Sequence, residues 1–192
     1  MSLEAEINSI IQKGSLEVIC GSMFSGKTEE LLKRINRACL SKKNVKTFKP
    51  ELDKRYDNKK IVSHNKNTIK TIAVCSATDI LEFIDDTDVI GIDEAQFFDS
   101  DLLLVCNILI KKGKRIIISG LDMDFSGKPF GIMPELLAIA DHITKLRAVC
   151  IDCGSNANHS FRKTLDKNLV KLGEKESYKP LCRICFNKAN LK

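Results

Sequence analysis

The sequence predicts an α/β domain built on a parallel sheet, spanning residues 1–149, with a small cysteine-centred unit over residues 150–192. Three observations carry that expectation. Short apolar runs alternate with stretches of helical periodicity, the pattern of parallel strands joined by crossover helices. A glycine-bounded octapeptide, Gly21-Ser22-Met23-Phe24-Ser25-Gly26-Lys27-Thr28, falls between the first such run and the first such helix. Two Cys-x-x-Cys pairs, Cys150/Cys153 and Cys182/Cys185, frame the C-terminal stretch.

The elements follow in order. Leu16–Cys20 is short, apolar and stopped by Gly21, which suits a buried strand. From Thr28 to Leu40, Leu31, Leu32, Ile35 and Ala38 recur at helical spacing. Val45–Phe48 is a second strand. Pro50 to Asn67 is rich in Lys, Asp and Asn with few apolar anchors and reads as a mobile loop. Ile69–Val74 alternates like a strand, Ala77–Ile84 fits a short helix, and Asp88–Asp93 is a buried strand ending in acid. A helix over Asp101–Lys112, a strand over Arg115–Ser119 closed by Gly120, a short helix over Glu135–Ala140 and a strand around Ile143–Val149 complete the domain.

Composition bounds the function. With 192 residues and 43% hydrophobic content the chain can bury a full core, and it holds no run of about 18 apolar residues. Met1–Ser15 carries charge inside its apolar stretch instead of a signal-peptide core, so a cytoplasmic protein without membrane partners is expected. Thirty-one Lys and Arg against twenty-five Asp and Glu give +6, which suits polyanions such as nucleotides without requiring nucleic acid. Cys20, Cys39, Cys75 and Cys106 lie among aliphatic residues and are expected to be buried free thiols.

The octapeptide matches G-x-x-x-x-G-K-[ST] in the strand-to-helix context that this pattern needs. Its glycines let backbone N–H groups turn inward around phosphates, and the following helix offers its positive end. Lys27 should reach the β- and γ-phosphates of a nucleotide, and the Thr28 hydroxyl should ligate Mg²⁺. Asp93 and Glu94 end a strand where open parallel sheets bind ligands. Neighbouring side chains diverge there, so Asp93 can hold Mg²⁺ through water while Glu94 either takes a proton from an attacking alcohol or positions a water. The acids alone leave both open.

The two cysteine pairs fit a closed tetrahedral Zn²⁺ site with no position for an activated water, hence a structural metal. Two disulfides are the alternative, disfavoured in a reducing compartment. His64, His142 and His159 are surplus to that shell and read as surface or structural residues. Phe97, Leu121, Phe125 and Phe130 follow strand ends, where they can pack as ordinary core or line a flat slot.

Together, the octapeptide, Gly91-Ile92-Asp93-Glu94-Ala95-Gln96-Phe97-Phe98, Leu121-Asp122-Met123-Asp124-Phe125 with Lys128-Pro129-Phe130-Gly131, and the cysteine unit resemble the type II thymidine kinases from about Leu16 to Phe186. The resemblance implies a RecA-like P-loop domain, a zinc ribbon carrying a lasso loop, and usually a homotetramer. It implies ATP-dependent phosphorylation of thymidine at its 5′-hydroxyl to dTMP for nucleotide salvage, with Glu94 as base and dTTP as feedback inhibitor. It adds Gln96 and Asp53-Lys54-Arg55 to the nucleotide site, with Asp53 toward the metal and Arg55 toward the phosphates, where Arg55 is expected to be catalytic by neutralising charge that develops on the transferred phosphoryl group. It turns Phe125, Phe97, Leu121, Phe130 and Met23 into a thymine pocket, with Ser160 as a pocket hydroxyl. Leu169, Val170, Lys171, Leu172, Gly173 and Tyr178 align with the lasso, where Glu174 stands in place of a second glycine common in that family. Read without the resemblance, a nucleic-acid-stimulated ATPase and a nucleotide-sensing module with little turnover remain open.

Overall fold

The computed structural model describes residues 14–51, 60–62, 68–163 and 177–191. The chain enters through β1 (Ser15–Gly21) and crosses by α1 (Lys27–Leu40) to β2 (Val45–Pro50). A hairpin of β3 (Lys60–Val62) and β4 (Thr68–Lys70) precedes β5 (Ile72–Val74) and a 3-10 turn at Thr78–Phe83. Then come β6 (Val89–Ile92), a short 3-10 turn at Ala95–Phe97, α2 (Asp101–Lys111), β7 (Arg115–Gly120), α3 (Met133–Ile139) and β8 (His142–Leu146). The six long-range strands pair in parallel in the order β5-β2-β6-β7-β1-β8.

The two-residue period of the strands builds two cores. Leu16, Val18, Ile90, Ile92, Ile116 and Ile118 pack on one face against Leu102, Val105 and Leu109 of α2 and Met133 and Leu136 of α3. Ile19, Val89 and Ile117 pack on the other against Leu31, Leu32, Ile35 and Ala38 of α1. Burial on both faces is why these strands read as continuous apolar runs. The close approach of α1 depends on Gly91, where an added Cβ would lie 2.5 Å from Ile35 Cδ1. Among the described residues no helix is long and apolar enough to cross a membrane.

Several expectations change. Within Pro50–Asn67, Lys60–Val62 forms a strand of the hairpin rather than loop. Ile69–Val74 is two strands, divided at Thr71, whose hydroxyl meets Thr47 Oγ1 at 3.1 Å and the Ile69 carbonyl at 3.2 Å. Ala77–Ile84 tightens to a 3-10 turn. Ile143–Val149 breaks at Arg147 into β8, a largely exposed edge strand, and β9 (Ala148–Val149). Of the four scattered thiols only Cys20 and Cys106 are buried, pushed up to about 11 and about 12 by desolvation. Cys39 is exposed because it follows buried Ala38 by about 100° of helical turn. Cys75 is exposed beyond the edge strand β5, where its thiol donates to Glu51 at 2.8 Å.

The C-terminal stretch pairs β9 with β10 (Asn156–Ala157), and β11 (His159–Arg162) with β12 (Tyr178–Leu181), ending in α4 (Arg183–Asn190). Its own core is Ala148, Cys150, Ala157, Leu181 and Phe186, with Phe24 of the octapeptide packed against it.

Candidate active site

The phosphate-loop pattern occupies the turn from β1 into α1. Gly21 adopts φ 144°, and a Cβ there would lie 2.3 Å from the Leu146 carbonyl oxygen, so only glycine lets β8 close on the loop. Gly26 is left-handed at φ 85° and opens α1, whose first turn carries Glu29 and Glu30. Lys27 Nζ donates to the Ser22 carbonyl at 2.9 Å, folded along the loop it would serve. Ser25 Oγ is buried and makes no hydrogen bond among the described residues, an oxygen left over for a ligand at the loop.

Thr28 Oγ1 donates to Asp93 Oδ2 at 3.4 Å, joining the loop to the acidic end of β6. Asp93 is 7% exposed, and its Oδ1 accepts from Ser119 Oγ and from the Glu94 amide at 3.0 Å. Burial, and secondly the Glu94 charge, push its carboxyl up to about 6, against the pull of Ser119 and Lys27. A hydroxyl and a carboxylate this close form a donor set suited to a hard divalent cation such as Mg²⁺.

Glu94 sits at φ 54°, a left-handed conformation costing about 1–2 kcal/mol in a non-glycine residue. Buried Gln96 donates through Nε2 to Glu94 Oε2 and accepts the Leu121 amide on Oε1 at 2.8 Å. An added Cβ on Gly131 would lie 2.3 Å from the Gln96 carbonyl, so the 121–131 segment is seated against this residue. The resemblance set Gln96 with the nucleotide residues; the hydrogen bonds described for its side chain run to Glu94 and Leu121.

Beyond Glu94, Phe97 and Phe130 meet edge to face, with centroids 5.6 Å apart. Phe125 lies under the Arg162 guanidinium, 3.8 Å from its centroid. Arg162 in turn donates through Nε and Nη2 to Tyr178 Oη at 3.1 and 2.7 Å. Met23 donates its amide to Ser160 Oγ at 2.9 Å, and Ser22 Oγ meets the Ala157 carbonyl at 3.4 Å. Ser160 is 3% exposed and is engaged with the backbone of the phosphate loop.

The metal-ligating atoms of Cys150, Cys153, Cys182 and Cys185 all lie within 4.8 Å of one another, and Cys153 and Cys182 sulfurs are 3.7 Å apart. Sulfurs at tetrahedral corners around Zn²⁺ stand about 3.8 Å apart, given Zn–S bonds of about 2.3 Å. Hydrogen bonding from Ser155 pulls Cys153 down to about 6, so one ligand ionises readily, while hydrogen bonding to Cys182 pushes Cys185 up to about 12. All four are free thiols, so the cluster can hold a metal ion. His159 is buried and stacked on Phe186 at 4.4 Å, a structural role; His142 is exposed, and His64 lies outside the described residues.

Residues 14–186 match the thymidine kinase family model, from the first strand through the second cysteine pair. The chain belongs to the thymidine kinase family. It is 51% identical over 192 residues to a thymidine kinase of Porphyromonas gingivalis, covering 99% of this chain and 94% of that one. A Bacteroides fragilis thymidine kinase is 50% identical over 97% of this chain and 94% of its own. One from a Rhodothermus species is 50% identical over 90% and 81%. Among solved structures, domain III of the Thermotoga maritima replication initiation protein DnaA superposes with a TM-score of 0.44 at 17% identity, over 75% of this chain and 60% of that one, a likeness too loose to inform the site.

Two groups expected from the family, Asp53-Lys54-Arg55 and the lasso positions Leu169, Val170, Lys171, Leu172 and Gly173, lie outside the described residues. Three residues escaped the sequence reading. Ser119 is a polar residue ending a run of isoleucines, beside the acidic strand. Lys49, in the last part of β2, is 3% exposed, a buried cation that pattern alone does not mark. Arg162 ends a short strand next to the lasso segment, and only the fold brings it to Phe125.

Proposed function

We propose that this chain transfers the γ-phosphoryl group of ATP to the 5′-hydroxyl of thymidine, giving dTMP for salvage into DNA precursors. The observation that carries the reading is Glu94: its carboxylate is held by Gln96 at the end of the strand whose Asp93 meets Thr28 of the phosphate loop. The family match, with thymidine kinases at about half identity, supports thymidine as acceptor.

Loop amides, Lys27 and Arg55 bind the triphosphate, and Thr28 and Asp93 hold Mg²⁺. Bound there, the ion neutralises charge on the β- and γ-phosphates. Phe125, Phe97, Leu121, Phe130, Met23, Ser160, Tyr178 and the lasso grip the nucleoside so that its 5′-oxygen faces the terminal phosphate. Glu94 accepts the hydroxyl proton as the new O–P bond forms, and the bond to the β-phosphate oxygen breaks to release ADP. The four cysteines bind a structural Zn²⁺ that fixes both ends of the lasso and lowers its closure entropy. The functional division falls at 149/150. The enzyme works in the cytoplasm, assembles as a homotetramer and is inhibited by dTTP.

Purified protein assayed for ADP release from ATP with thymidine, with single-stranded DNA or with neither tests this. Release should require thymidine. Stimulation by DNA alone would point instead to a nucleic-acid-driven ATPase.

A further inference from the structure

Arg162 ends β11 and Tyr178 begins β12, and the two are paired as the last rung of that ladder, on either side of residues 163–177. Arg162 is 6% exposed, and burial of a permanent cation demands compensation from its surroundings. Among the described residues, two kinds of partner contribute to it. Its Nε and Nη2 converge on the single phenolic oxygen of Tyr178, at 3.1 and 2.7 Å. Its central guanidinium carbon lies over the half-buried Phe125 ring, 3.8 Å from the centroid, where the negative face of the ring attracts a cation. Phe125 belongs to the segment from Leu121 that Gln96 ties to Glu94. One side chain therefore joins the two ends of the lasso segment to an aromatic ring connected with the base.

We propose that Arg162 is the positioning residue of the nucleoside pocket: it fixes the plane of Phe125 and the position of Tyr178, so that a pyrimidine meets a ring already held from behind. A ring has two faces, and with the guanidinium on one, a nucleobase stacks on the other. Arg162 thus acts through Phe125 and Tyr178 rather than by touching the reacting atoms. A lysine cannot replace it, because an ammonium group offers neither the planar stack nor the paired donors. The proposal rests on the thymidine kinase reading above and deepens it.

The test compares Arg162→Met, Arg162→Lys and Tyr178→Phe with the parent in steady-state kinetics, each checked for zinc content and thermal melting. Tyr178→Phe keeps the ring and the charge and removes only the acceptor, so it reports even if an Arg162 variant folds poorly. Arg162→Met should raise the thymidine KM about tenfold, the scale of a lost buried cation–π contact with its hydrogen bonds, and leave the ATP KM within about twofold. Arg162→Lys should recover little, and Tyr178→Phe should raise the thymidine KM about threefold. In a Phe125→Leu background the Arg162→Met change should cost clearly less, because the ring it positions is gone. An unchanged thymidine KM, an equal rise in both KM values, or full additivity with Phe125→Leu would overturn the proposal. A parent enzyme with no thymidine-dependent turnover would overturn the kinase reading itself, and this inference with it.

Discussion

At Asp93 the proposed metal-holding role opposes stability. A carboxyl pushed up to about 6 by burial binds its proton more tightly in the folded than in the unfolded chain, where Asp titrates near 3.9. Folding therefore gains from that proton at low pH and loses the gain as pH rises through about 6, so at pH 8 the charged buried group is a full penalty. In metal-free buffer Asp93→Asn should raise Tm at pH 8, by about 3 °C for each kcal/mol relieved, and should leave Tm unchanged near pH 3.5. Melting curves at the two pH values check it; a shift of equal size at both would contradict the burial account. Glu94 shows the same opposition in its backbone, where a left-handed glutamate persists because Gln96 and the strand end hold it there.

At the scale of elements, the cysteine unit does more than present a loop. β11 contributes Ser160, which accepts the Met23 amide, and Phe24 packs into the core shared by Ala148, Cys150 and Phe186. The phosphate loop is therefore braced by the cysteine-centred unit, through β11 and its core. Removing the metal with a strong chelator should raise the KM for ATP as well as for thymidine, each by about tenfold, and lower Tm, with zinc released at one per chain. A chelated enzyme losing thymidine affinity alone would show that the brace is unimportant. The elements themselves were legible where a run was long and buried on both faces, as in Arg115-Ile116-Ile117-Ile118-Ser119. They were not where the chain changes partners without a break in pattern: alternation through Ile69–Val74 cannot reveal that Thr71 divides a hairpin from a sheet edge. Cys39 is exposed against expectation because aliphatic neighbours in sequence are not neighbours around a helix.

Over the whole molecule, the parallel order β2-β6-β7-β1 brings the phosphate loop, the acid pair and Ser119 to the same strand ends. That convergence was legible because the phosphate loop and the acid pair each carry a local pattern. Arg162 over Phe125, Gln96 reaching the Leu121 amide, and Ser160 beneath Met23 were not, since each contact joins residues far apart in the chain and none needs a particular spacing. The central claim, that Glu94 takes the proton of a nucleoside alcohol, is tested most directly by thymidine-dependent ADP formation in Glu94→Gln, with ATP binding measured alongside. Loss of turnover by about a thousandfold, with ATP affinity within about twofold of the parent, is the expected result. Turnover at the parent's rate would contradict it.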